Sequence, residues 1–155
     1  MSTPTPRTSG AAAELPRPTT AADHAARSTP PPSDRVELRV PADPAYLAVV
    51  RTAAAGLAAR LDLTLDEIED LRIAVDEACA LLLDHRSHAG RDLVAFFTVR
   101  PDRLDVHVQG PATHLPEHSS FAWAVLEALV GGVETGSDAD GTWIRLSHNT
   151  SGRRY

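Results

Sequence analysis

Apolar side chains recur at Leu65, Ile68, Leu71, Val75, Cys79 and Leu82, every three or four residues. That spacing predicts one face of an α-helix over Thr64–His85. Thr64 followed by Glu67 reads as a capping box, in which hydroxyl and carboxylate each satisfy a free backbone N–H of the first turn. Before this helix, Val36, Leu38 and Val40 alternate with Arg35, Glu37 and Arg39, the period of a strand with one buried face. Asp43 as cap and Pro44 at the first helical position then open a helix predicted over Pro44–Leu61, with Leu47, Val50, Ala54, Leu57 and Leu61 on one side.

After a loop at Ser87–Gly90, the nearly continuous apolar run Leu93–Val99 predicts an inner strand. Pro101-Asp102-Arg103 is turn chemistry, and Leu104, Val106 and Val108 alternate with polar residues in the second arm of a hairpin. A loop over residues 110–120, a helix from Phe121 to Val133, a polar turn over Thr135–Gly141 and a last strand over Thr142–Ser147 complete the chain. The order β-α-α-β-β-α-β predicts a two-layer α+β sandwich, helices on one face of a mostly antiparallel, mixed sheet. The helix at 64–85 would be central in the helical layer.

Residues 1–33 are rich in Pro, Ala and Thr with almost no large apolar side chain, so they read as a disordered arm. The folded domain is expected over 34–148, with a frayed tail at 149–155. A chain of 155 residues with 43% hydrophobic content supports one core. Its formal charge of −6 lacks the clustered cations that phosphate binding needs, which argues against nucleic acid as a partner. The stretch Thr64–His85 holds seven acids (Asp66, Glu67, Glu69, Asp70, Asp76, Glu77, Asp84) against Arg72. One cysteine permits no internal disulfide, and no apolar run approaches the ~18–20 residues of a membrane helix. A cytoplasmic protein without a membrane partner is the expectation.

The segment Leu71–Cys79, LRIAVDEAC, resembles the N-box of the histidine-kinase-like ATPase superfamily, in particular the RsbW/SpoIIAB group of anti-sigma factors that double as serine kinases. The strand–helix opening with Arg51, the hairpin LVAFFTVRPDRLDVHV and the ending GTWIRLSH fall in the same order, over residues 35–148. FAWAVLEALVGGVET resembles the actinobacterial UsfX branch, in which a similar Phe-x-Trp stands in this helix.

The resemblance implies a nucleotide site, and its boxes are altered here. The N-box glutamate, which positions water or the acceptor hydroxyl, is present as Glu77. The asparagine that holds Mg²⁺ is replaced by Leu81, which offers no lone pair to a hard cation. The Asp-x-Gly-x-Gly box that reads adenine corresponds to Val108, Gln109, Gly110, Pro111 and Ala112, without the carboxylate and with one glycine of two. The glycine-rich phosphate loop is replaced by Ser119-Ser120-Phe121-Ala122-Trp123. Phosphoryl transfer rests on positioning and metal-borne charge neutralisation. The expectation is therefore an anti-sigma factor with no cofactor, its ATP binding and kinase activity lost. Its partners would be an alternative sigma factor and an anti-sigma antagonist, in stress-response transcription.

The resemblance also assigns Arg51 to partner contact and implies a homodimer, for which Val36–Val40 offers an edge strand. The acidic face of 66–84 would steer a basic sigma factor. Two other readings stand beside this one. In the first, Glu77 still works and the chain is an ATP- and Mg²⁺-dependent serine/threonine kinase acting on the antagonist. In the second, the old nucleotide pocket has become an apolar ligand site lined by Leu81, Val108 and Trp123. Cheaper structural roles exist for each residue: Glu77 as a solvated helix acid, Cys79 as a buried packing thiol, and Phe121 and Trp123 as core or interface anchors. His85 and His88, or His114 and His118, have metal-like spacing without cysteine companions, and no metal site is expected.

Overall fold

A computed structural model describes residues 33–83 and 89–150. The expectations for the arm, for Asp84, His85 and His88, and for most of the tail fall on residues outside these. Within the compact unit Pro31–Tyr155 the order is β1 (Asp34–Pro41), α1 (Leu47–Ala58), α2 (Leu65–Leu83), β2 (Asp92–Arg100), β3 (Arg103–Gly110), α3 (Phe121–Leu129), β4 (Gly132–Asp138) and β5 (Gly141–Asn149). A 3-10 turn at Pro44–Tyr46 leads into α1, started by Asp43, whose carboxylate accepts from the Ala45 N–H at 2.8 Å. The capping box forms: Glu67 N–H donates to Thr64 Oγ1 at 3.2 Å, and Thr64 N–H to Glu67 Oε2 at 2.7 Å.

The sheet runs β1-β2-β3-β5-β4 with every neighbour antiparallel. The two-layer α+β architecture is as expected, but the sheet is not mixed, because the described strands are joined only through antiparallel pairs. α2 is the middle helix, packed on α1 and α3 and lying over β3 and β5. The core is Leu71, Val75, Cys79 and Leu82 of α2 against Leu93 and Phe97 of β2, Leu104, Val106 and Val108 of β3, and Ile144 and Leu146 of β5. Leu65 departs from its expected place on the stripe: it is 80% exposed as the first helical residue, and burial is complete only from Leu71.

The C-terminal third differs most from the pattern reading. α3 ends at Leu129 rather than Val133, because Val130 turns extended (φ −132°, ψ 157°). The expected turn over Thr135–Gly141 is mostly strand β4, and the reversal is confined to residues 139–140. Polar, glycine-containing β4 is an edge strand with little burial, so it carries no apolar alternation. Its Gly136 lies opposite Trp143, where a Cβ would come within 2.7 Å of indole Cε2.

Candidate functional site

The N-box helix α2 and the end of β3 meet at Leu82. Ala112 N–H donates to the Leu82 carbonyl at 2.9 Å. A Cβ on Gly110 would stand 2.8 Å from Leu82 Cβ and 3.0 Å from its carbonyl oxygen. The surviving glycine of the second box therefore lets this backbone close on the helix. Thr142 Oγ1 locks the same segment from β5, donating to the Ala112 carbonyl at 2.6 Å with its side chain buried.

The positions singled out in the sequence thus come together around the C-terminal half of α2, but with different exposures. Glu77 is half-buried and, among the described residues, has no hydrogen-bond or ion-pair partner. Leu81 is half-buried and packed against the core. Val108 is fully buried, facing the helices from the middle of the sheet between Ala95 and Ile144. Gly110 and Ala112 are buried in the packing on Leu82. Trp123 is 2% exposed, its indole N–H donating to the Pro116 carbonyl at 2.9 Å and its ring stacked on His118 at 5.2 Å.

Leu81, Val108 and Trp123 therefore do not frame the apolar cavity expected of them: Val108 and Trp123 are part of the core. Two cavities of the described residues lie elsewhere, and of the box positions Gln109 and Gly110 border one of them, a polar depression of about 400 Å³ with Arg39, Asp92 and Asp140. At the start of α3, Ser120 is the cap residue but makes no capping hydrogen bond, and its Oγ is buried without a partner among the described residues. Phe121 beside it is 83% exposed, so it is no core anchor.

Arg51 reaches across from α1 to α2, where Nη1 meets Asp76 Oδ1 at 3.0 Å, both side chains half-exposed. Asp76 is the residue next to Glu77, and the sequence marked it only as one of the seven acids of this stretch, not as the partner of Arg51. Twenty-five positions separate the pair, and only the packing of two helices brings them together. Cys79, one turn on, is fully buried; burial first, then the Asp76 charge, pushes its thiol up to about 12, so it stays protonated and unreactive.

A profile described as Histidine kinase-like ATPase domain matches residues 40–148. The chain belongs to that family. Among curated proteins it is similar to the serine-protein kinase RsbW of Bacillus subtilis (strain 168), 41% identical over 78 residues, 49% of each chain. It is also 39% identical over 75 residues to RsbW of Halalkalibacterium halodurans, covering 48% of this chain and 46% of that one. With RsbW of Bacillus mycoides (strain KBAB4) it shares 30% identity over 100 residues, 63% of this chain and 58% of the relative. The chain spans about half the length of the curated relatives it matches. Its histidine-kinase-like ATPase domain is thus of the RsbW/SpoIIAB type.

The family implies an ATP and Mg²⁺ site, and these residues do not fit it. Mg²⁺ demands oxygen ligands in near-octahedral geometry. One turn after Glu77 stands an aliphatic side chain, and the phosphate-loop position carries Phe121 and Trp123 with no glycine. In the purine box Val108 turns its side chain into the core.

Proposed function

We propose that the chain is an anti-sigma regulatory factor that captures an alternative sigma factor and is released by an anti-sigma antagonist, having lost ATP binding and kinase activity. The observation that carries the reading is the pairing of a kept scaffold with a missing donor set. α2, β3 and the Leu82 contact hold the box positions in place, while the oxygen at 81 and the carboxylate at 108 are absent. Recognition of another protein remains for such a scaffold to do, through Arg51 and the acidic exposed face of α2. A dimer through the edge strand β1 fits the same reading.

Calorimetric titration with ATP and Mg²⁺ tests the nucleotide part. The expected result is no saturable heat up to about 1 mM ATP; a micromolar Kd would overturn it. A second reading is favoured by Glu77, half-buried and retained, and by the kinase names of the relatives: an active serine/threonine protein kinase phosphorylating the antagonist. Incubation of the purified chain with candidate antagonists and labelled ATP separates the two. Phosphoserine or phosphothreonine formed at a rate abolished by Glu77→Gln would establish the kinase.

A further inference from the structure

The sheet has a second face, and among the described residues no helix covers it. The helices pack on the side of Phe97, Val106 and Ile144; Phe96, His107, Trp143 and Arg145 point the other way. A depression of about 760 Å³ runs across this open face from β1 to β5.

Its chemistry differs from that of the rest of the chain. Four arginines, Arg35, Arg100, Arg103 and Arg145, border it against two acids, Glu37 and Asp105, on a chain of net charge −6. Asp105 is only 8% exposed and already saturated: Arg103 donates to it at 2.6 and 2.9 Å, Ser147 at 2.7 Å, and Arg100 also binds it. It therefore holds two guanidinium groups in place and presents little charge of its own. Arg35, on the exposed strand β1, has no ion-pair partner among the described residues. The floor is aromatic. Phe96, 38% exposed, lies 5.9 Å from the His107 ring, which lies 5.1 Å from Trp143, and Arg145 stacks over Trp143 at 5.6 Å. His107 Nδ1 is buried there without a hydrogen-bond partner.

Cationic walls over an aromatic floor suit a ligand that alternates carboxylates with apolar side chains. Four strands at ~4.8 Å spacing give the groove room for four to five extended residues. A nucleic acid carries a phosphate at every nucleotide and needs a long unbroken track of cations. Here Glu37 and Glu134 interrupt the arginines, so no such track exists. We propose that the open sheet face is a docking groove for an extended acidic segment of a partner protein, its carboxylates taken by the arginines and its apolar side chains by Phe96 and His107. The groove lies on the opposite layer from Arg51 and does not depend on the anti-sigma reading.

Fluorescence polarisation of the full chain tests this with three labelled probes: the hexapeptide Asp-Phe-Glu-Phe-Asp-Glu, the same peptide with every acid replaced by Lys, and a thymidine dodecamer. The acidic peptide is expected to bind, more weakly as salt rises, and the other two not to. Arg35→Glu and Phe96→Ala should each weaken binding about tenfold with the melting temperature unchanged. In NMR titration the Trp143 indole N–H should shift while that of the buried Trp123 stays. No binding of the acidic peptide at about 1 mM, equal binding of the Lys peptide, tighter binding of the oligonucleotide, or an affinity untouched by Arg35→Glu would each overturn the proposal.

Discussion

At position 110 a single methyl group has nowhere to go. Its neighbours are the Cβ and carbonyl of Leu82 at 2.8 and 3.0 Å, held by the helix and by the Ala112 hydrogen bond. Gly110→Ala should therefore push β3 off α2 and cost about 1–3 kcal/mol in urea unfolding. Asp105 gives a pH signature of its own. Burial works to raise its pKa, but the hydrogen bonds from Arg103, Ser147 and Arg100 outweigh that and leave it below the ordinary carboxylate value. A folded-state pKa below the unfolded one means stability fully present above the unfolded value, about 4, and lost as pH falls further through the folded one. Urea midpoints between pH 6 and 3 should fall for the wild type and fall less for Asp105→Asn. At this scale the sequence marked Gly110 as the surviving glycine of the second box. That its backbone closes on Leu82 is a fact of packing.

Among the elements, α2 was the most legible and β4 the least. The Thr64–Glu67 box lies within four consecutive residues, so its partners are fixed by helix geometry alone, and both hydrogen bonds form. Thr64→Ala should cost about 1 kcal/mol by chemical denaturation, and the loss should shrink when Glu67 is also replaced. β4 reads as a turn because an edge strand needs no apolar alternation: Val133 and Thr135 are its residues facing the helices, and Gly136 leaves room for Trp143. What makes it a strand is its ladder to β5, a partner that no local window contains. The early end of α3 follows from the same pairing, since Gly132 must already be extended to lie opposite Ser147. Of the core or interface role expected of Phe121, its exposure at the open end of the helix excludes the core.

For the whole molecule, the two layers divide the chemistry: Arg51 and Asp76 join α1 to α2 on the helical side, while the arginine groove occupies the bare face of the sheet. Arg51→Glu should weaken capture of a cognate sigma factor at least tenfold in a pull-down or titration. It would also set two carboxylates against each other at Asp76, so Arg51→Ala is the matched control. The half-exposed ion pair is worth at most about 1 kcal/mol, and the alanine variant should stay folded while binding falls. Equal capture by all three proteins would remove Arg51 from the interface. The sequence by itself determined the amphipathic helices, the caps, the central hairpin and the absence of oxygen donors at 81 and 108, because periodicity, capping and side-chain chemistry are properties of neighbouring residues. Only the tertiary structure decided the all-antiparallel strand order, the Arg51–Asp76 pair, the seating of Gly110 on Leu82 and the arginine groove. Each of these joins residues far apart in the chain, and the free energy that selects them comes from burying one shared core.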